Sequence, residues 1–485
     1  MSADGRDAGA SPSGPAVSEL VCRGCGHVVA ADAPRPFRCP NADGDDVDHV
    51  LRRRLHAAAV EKAGEVFAGA EPNPFLRYAP LLHGYQAARH GGLGDAEWRV
   101  MVEVLDEAVA TVNGHGFRET PFGTDPLIAE QLGVAEAWVK HEWGNVSGSH
   151  KGRHLMGVML WLQAAEQLGL EPAGERPPLA IASCGNAALA AAVVAQAAQR
   201  RLEVFVPTHA NPRVLERLSI LGAHLHTCPR QAGEAGDPCY LRFRDALSRG
   251  AVPFTCQGNE NGLTIDGGKT LAWEMASALE RHGSRIDRVL LHVGGGALAA
   301  SVIEGLREAR DLGAVPRLPR VHAVQTKGAY PLARAYELLS RHILGRWAEE
   351  SGEPVPETAA ESAALLATTE LRFFVDEGLD HASSHRSEFM WPWEEEPHSI
   401  ADGILDDETY DWLAVTEGML ETGGWPIVVD EETLRRANAL AREATATTPC
   451  HTGTAGLAGA LALSGDGALD PAESVALIVS GIERG

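Results

Sequence analysis

Residues 145–153 read NVSGSHKGR, which sets a lysine, Lys151, inside a run of serine and glycine, with Trp143 just before it and the apolar stretch LMGVMLW just after. A solvated surface lysine needs none of that context. An amine that must shed its proton and reach a bound carbonyl compound does, because desolvation beside apolar groups and close backbone approach favour the neutral form. The stretch follows AWVKHE (137–142), which has strand character, so Lys151 is expected in a loop that leads from a strand into a helix.

From there outward, short β-branched or aliphatic runs alternate with helical patterns: LAIAS (179–183), LEVFVP (202–207), AHLHTC (223–228), VPFTC (252–256), RVLLHVG (288–294), RVHAVQ (320–325) and VALIVS (475–480). The alternation predicts an α/β protein of βαβ units, with largely parallel sheets covered on both faces. In such sheets a ligand lies outside the carboxyl ends of the strands, where loops run into helix N-termini. Upstream, LRRRLHAAAVEKAGEVFAG (51–69) and AEWRVMVEVLDEAVATV (96–112) place apolar residues three and four apart, so 51–118 reads as a helical cap.

Composition bounds the function. The chain has 485 residues, 45% hydrophobic and 22% charged, enough for roughly two or three domains of ~100–200 residues. A net charge of -24 argues against duplex DNA or an anionic membrane as partner and leaves room for a small anion in a local pocket. No window approaches the ~20 apolar residues of a membrane span. Residues 1–20, polar and rich in small residues, read as a disordered arm without targeting information. Eight cysteines scattered through so long a chain suggest reduced thiols in a cytoplasmic protein. Cys22 and Cys25 form a CxxC knuckle, and Cys39-Pro40 follows; with His27 or His49 as fourth ligand, residues 21–50 would make a zinc-ribbon-like segment, although the second CxxC of a full ribbon is missing.

Three loops carry the chemistry. The first holds Ser147, Ser149 and Lys151. The second, after LAIAS, reads Ser183-Cys184-Gly185-Asn186 and enters an alanine-rich helix whose first N–H groups would face a carboxylate. The third, after RVLLHV, reads Gly294-Gly295-Gly296-Ala297-Leu298, a turn whose amides can cradle a phosphate; alone it also suits a tight left-handed turn.

Together the loops resemble the fold type II family of pyridoxal 5'-phosphate enzymes, which includes threonine synthases, serine/threonine dehydratases and serine racemases, over about residues 115–485. The resemblance implies a two-domain architecture with twisted, mostly parallel sheets: a large cofactor-binding domain from 51–154 and 251–485, a small α/β domain from 155–250, and the cysteine-containing extension in front. Ser149-His150-Lys151, then Arg153, match the Ser-x-Lys motif whose lysine holds the cofactor as a Schiff base, with His150 where an aromatic is usual. Ser183 to Asn186 match the loop that touches the cofactor's ring oxygen and the substrate carboxylate, with Ala187 in place of the common histidine. Gly294 to Leu298 match the phosphate loop, with Ala297 where a fourth glycine is frequent. Ser480-Gly481 stand where the family sets a hydroxyl or thiol on the pyridine nitrogen. Ser399-Ile-Ala-Asp-Gly403-Ile is similar to the T-I-A-D-G segment of dehydratases and racemases and adds Gly403 on the cofactor side. The same resemblance makes Lys151 and Ser149 catalytic and gives the substrate to Ser147, Ser149, Ser183, Cys184, Gly185 and Asn186.

The implied activity is β-elimination on a small hydroxy amino acid such as threonine or serine, in a homodimer that binds neither nucleic acid nor membrane. A neutral Ser480 on the pyridine nitrogen keeps the electron sink weak, which suits loss of a β-substituent better than transamination. The alternative is threonine-synthase-like replacement on a phosphorylated or otherwise activated amino acid; a cation for that phosphate discriminates, and Arg153, Lys269 and Lys327 are the candidates. A zinc-ribbon nucleic-acid module is opposed by the net charge and the lack of a basic stripe. The stretch 326–398 departs most from the family; HASSHRSEFMWPWEEEPH (381–398) reads either as a substrate-side lid or subunit contact, or as an acidic loop pinned by buried Trp391 and Trp393.

Overall fold

The strands, in chain order, are β1 (Ser18–Cys22), β2 (Leu51–Leu55), β3 (Phe122–Thr124), β4 (Glu136–His141), β5 (Leu179–Ala182), β6 (Leu202–Val206), β7 (His224–Thr227), β8 (Val252–Pro253), β9 (Arg288–His292), β10 (Arg320–Thr326), β11 (Ile427–Val429) and β12 (Ser474–Val479). They come from a computed structural model that describes residues 17–30, 32–60, 63–171, 176–231, 233–234 and 236–483. Three sheets result: a β1-β2 pair, a six-stranded sheet ordered β11-β10-β9-β12-β4-β3, and a four-stranded sheet ordered β7-β6-β5-β8. All pairings in the two larger sheets are parallel except β3 with β4.

The central strands read as unbroken apolar runs because both of their faces are covered. On β12, Ala476 and Ile478 join one core with helices Leu263–His282 and Ala297–Asp311, while Val475, Leu477 and Val479 join another with helices Glu431–Thr445 and His451–Gly465. The last of these helices comes close because Gly453, Gly456 and Gly459 line one side of it. A Cβ at Gly453 would overlap the Ser480 carbonyl oxygen, and one at Gly456 would stand 2.9 Å from that of Leu290. In the smaller sheet, helix Asn186–Ala197 packs on one face and helix Pro238–Ser248 on the other, through Phe205, Cys239 and Phe243. Its last strand, β8, lies just beyond residue 250.

Two expectations at the N-terminal end change. LRRRL is strand β2, and it pairs antiparallel with β1 in the register Ser18↔Leu55. The period of two was masked because an inward position is an arginine: Arg53 is buried against Asp266 (2.8 Å) and Glu308, acids far away in sequence, while Arg54 turns outward to Glu19. Residues 18–20 of the expected disordered arm therefore belong to a strand; residues 1–16 lie outside the described residues. The stretch 326–398 is largely helical, with Pro331–Ser351, Ala359–Leu366 and Arg372–Ser384. The Arg334 guanidinium lies 3.9 Å from the Trp391 ring centroid, and both Trp391 and Trp393 are half-buried, not buried. Among the described residues no helix is long and apolar enough to cross a membrane.

Candidate active site

The order β9-β12-β4 brings three strand ends side by side, with Val479 paired to His141. The loop after β4 turns through Ser147 and Gly148, both left-handed (φ 60° and 72°), and the Ser147 amide donates to Asn113 Oδ1 at 3.0 Å. Ser149 is then extended, and Lys151 opens helix Lys151–Gln167. The Ser149 hydroxyl is buried without a hydrogen-bond partner among the described residues. Lys151 is half-buried, and its charge reaches His150, His154, Cys256, His292, Asp406 and Asp411.

Three of those groups are histidines packed together: the His150 ring lies 5.6 Å from that of His154 and 5.8 Å from that of His292. Burial, reinforced by the Lys151 charge, holds His150 well below the usual imidazole range and pushes His154 and His292 down to about 3, so all three are neutral at neutral pH. His154 Nδ1 donates to the Thr264 carbonyl at 2.8 Å.

Ser480 follows β12, and its Oγ accepts from the His150 amide at 3.1 Å and lies 2.6 Å from His150 Nδ1. Its hydroxyl is thus engaged by a neighbouring imidazole, which the expectation of a lone hydroxyl aimed at a ring nitrogen did not include. Gly481 (φ +93°) lets the smaller sheet's loop approach: a Cβ there would stand 2.9 Å from Asn186 Nδ2. Asn186 opens helix Asn186–Ala197, Ser183 Oγ accepts from the Gly185 amide at 3.3 Å, and burial raises the Cys184 thiol, which favours its neutral form.

After β9 the chain runs through Gly294, Gly295 and Gly296 into helix Ala297–Asp311, with Ala297 and Leu298 buried. Only glycine serves here: Gly296 has φ +102°, and a Cβ on it would meet Asp411 Cβ at 2.9 Å. Segment 402–411 lies on the loop. Thr409 Oγ1 donates to the Gly294 carbonyl at 2.9 Å, the Asp411 amide donates to that of Gly295 at 3.0 Å, and the Asp406 carboxylate packs on Gly294, where a Cβ would overlap its Oδ2. Burial pushes Asp406 up to about 6 and Asp411 up to about 8. Gly403 donates instead to Thr452 Oγ1 at 3.0 Å, and it is the next residue, Ile404, that touches Gly294.

The three cations considered for a substrate phosphate are all paired. Arg153 is fully buried between Glu142 (2.9 Å) and Glu274 (2.7 Å), Lys269 is fully buried between Glu304 (2.8 Å) and Glu308 (3.0 Å), and exposed Lys327 pairs with Asp430 at 3.3 Å. Sequence reading singled out Lys151, Asn186 and the glycine loop, but missed His154, His292, Asp406 and Asp411. The i to i+4 spacing of His150 and His154, and a histidine at the end of a strand leading into a glycine loop, were the available signals for the first two.

Away from this site, Cys22, Cys25, Cys39 and His49 bring four ligand atoms within 4.8 Å of one another. Cys25 Sγ is 3.6 Å from Cys39 Sγ, and Cys22 Sγ is 3.4 Å from His49 Nδ1. Bonds of about 2.3 Å to sulfur and 2.0–2.1 Å to nitrogen give a zinc tetrahedron edges of roughly 3.5–3.8 Å. His49, not His27, is the fourth member, and its Nε2 lies 3.1 Å from Asp45 Oδ1, the kind of carboxylate contact that leaves Nδ1 free to bind metal.

A family model described as pyridoxal-phosphate dependent enzyme matches residues 115–481. A threonine synthase of Methanosarcina acetivorans is 27% identical over 216 residues, 44% of this chain and 49% of that protein. An L-serine dehydratase of Saccharomyces cerevisiae is 27% identical over 219 residues, 43% of this chain and 62% of that protein. The chain thus spans about half the length of the threonine synthases it matches. Among solved structures, a threonine deaminase from T.th. superposes with a TM-score of 0.51 at 20% identity, covering 80% of this chain and 98% of that one. Holo diaminopropionate ammonia lyase from Escherichia coli gives 0.53 at 16%, covering 79% and 88%. At those identities the two structures speak to a shared fold.

Proposed function

This chain belongs to the family of pyridoxal-phosphate dependent enzymes, and from that premise we propose that it is a lyase acting on a small hydroxy amino acid such as serine or threonine, releasing a 2-oxo acid and ammonia. The pairing of the cations carries the choice. Replacement chemistry on a phosphorylated amino acid needs a cation for the substrate phosphate, and Arg153, Lys269 and Lys327 are each held by carboxylates. A hydroxyl leaving group makes no such demand.

The residues fit the cofactor. Ser149 Oγ, His150 Nε2 and His292 Nδ1 are buried polar atoms without partners among the described residues, gathered at the strand ends where Lys151 stands. When bound, the cofactor supplies an electron sink that loosens the substrate's α-proton and β-substituent. Lys151 would hold it covalently, and its Nζ would be placed to take the substrate's α-proton. Ser149 Oγ and the first amides of helix Asn186–Ala197 bind the substrate carboxylate, Asn186 orients the ring, and the amides of Gly294 to Gly296 take the phosphate. The neutral histidines packed beside Lys151 add no charge to the site. Incubating the protein with a panel of amino acids, and following 2-oxo acid, ammonia and phosphate separately, tests this reading. Serine or threonine should give the first two together, and phosphate release from a phosphorylated homoserine in their absence would favour replacement.

The same proposal includes homodimeric assembly and one zinc ion held by Cys22, Cys25, Cys39 and His49. The edge lengths and the Asp45 contact support the metal.

A further inference from the structure

On the reading just given, the phosphate of the cofactor goes to Gly294–Gly296, yet the side chain seated on that loop is an acid. Asp406 Oδ2 packs so tightly on Gly294 that a Cβ there would overlap it, and Asp406 Oδ1 lies 3.7 Å from where a Cβ on Gly295 would stand. The segment is fastened in place on both sides: Thr409 bonds to the Gly294 carbonyl (2.9 Å), Asp411 bonds to the Gly295 carbonyl (3.0 Å), and a Cβ on Gly295 would stand 2.9 Å from the Tyr410 ring. A carboxylate seated on a glycine loop stands where an anionic ligand would sit. Around Asp406 stand Lys151 from its helix, Asp237 at the N-cap of helix Pro238–Ser248, and Asp407 and Tyr410 on its own segment. Lys151 alone among these is cationic. Burial, helped by Asp407 and Asp237 and opposed by Lys151 and the Gly295 amide, pushes the Asp406 carboxyl up to about 6. A phosphate and a carboxylate crowded onto the same loop repel each other strongly in a buried site, so one of them must take up a proton.

We propose that Asp406 is an internal anion that competes with the cofactor's phosphate for the glycine loop, so that binding requires the Asp406 carboxyl to take up a proton from solvent and cofactor affinity falls as pH rises. Asp411 does not compete in this way. Its Oδ1 packs instead on Gly258 of another loop, where a Cβ would overlap it, and its carboxyl is pushed up to about 8, which keeps it neutral at pH 7.

The test uses pyridoxine 5'-phosphate, which has no aldehyde for Lys151 to capture, titrated calorimetrically into the cofactor-stripped full chain from pH 5.5 to 8.5. The ratio of affinities, Asp406→Asn over wild type, cancels the probe's own phosphate titration. It should grow by about tenfold for each pH unit above 6, as expected when binding takes up one proton at a single carboxyl. Pyridoxine, which lacks the phosphate, should bind both proteins alike at every pH. Asp406→Ala gives the same ratio and serves if the Asn variant folds poorly, which circular dichroism reports. A ratio independent of pH, or an equal change for pyridoxine, overturns the role of Asp406 while leaving the cofactor reading intact. No binding of either probe to any of the proteins overturns both.

Discussion

At Ser480 a single oxygen meets two nitrogens of one residue, the amide and Nδ1 of His150. If Nδ1 carries its hydrogen, both lone pairs of Oγ are filled and the hydroxyl proton is free to serve a ring nitrogen; in the other tautomer the proton is spent on His150. Burial keeps that imidazole neutral, so the choice lies between two neutral tautomers and Ser480 adds no charge to the site in either. Under the proposed function, attachment falls to Lys151. Borohydride reduction of the cofactor-loaded protein followed by peptide mapping should place the label on Lys151, and Lys151→Ala should lose turnover by orders of magnitude, because attachment and proton abstraction both depend on one Nζ. A label on any other lysine refutes the assignment. Lys151 was legible in the sequence through its local setting. Asp406 was not, since nothing nearby in the chain marks one aspartate of the run LDDETYD as the residue that meets Gly294.

Between elements, helix Lys151–Gln167 is anchored by buried charge. Arg153 bonds Glu142 from the loop after β4 and Glu274 from helix Leu263–His282, while Lys140 of β4 bonds Glu274 at 2.5 Å and the Thr120 carbonyl at 2.6 Å. This cluster sets the start of the helix, and therefore Lys151, relative to the six-stranded sheet. Removing one partner leaves charge buried and unpaired, so Glu274→Ala should cost about 3–5 kcal/mol in denaturant unfolding. A loss under 1 kcal/mol would show that the cluster does not hold the helix. The pH dependence has a definite sign. Burial alone would raise Glu142, but the Arg153 and Lys140 charges and the bonds from Arg153 and Thr120 outweigh it and hold the carboxyl below its usual range. Its contribution is complete above the unfolded glutamate pKa of about 4.3 and is lost as pH falls through the lower folded value.

At the scale of the whole molecule, the cysteine-containing segment is fastened to the segment that lies on the glycine loop. The Arg386 amide donates to the Asp46 carbonyl (2.9 Å), Ser387 Oγ donates to Asp46 Oδ2 (2.8 Å), and the Arg386 guanidinium bridges Asp48 and Glu408, three residues before Asp411. Protein purified without chelator should carry about one zinc per chain, and stripping the metal should lower the thermal midpoint. Cys25→Ser should lower both the zinc content and the midpoint, read by metal analysis and a melting curve. Zinc near zero in folded, active protein dismisses the metal.

The sequence by itself determined the α/β alternation and the three loops, and it marked Lys151 as the candidate amine, because each is written in residues adjacent along the chain: period, turn glycines, and apolar runs next to Lys151. It misread LRRRL because the partners that let Arg53 face inward, Asp266 and Glu308, stand more than 200 residues away. Only the tertiary structure decided that Arg153, Lys269 and Lys327 are paired, that His49 completes the cysteine cluster, that three neutral histidines surround the site, and that Asp406 sits on the glycine loop. Charge pairing and burial depend on distance in space, and a buried arginine and a solvated one are the same letter in the chain.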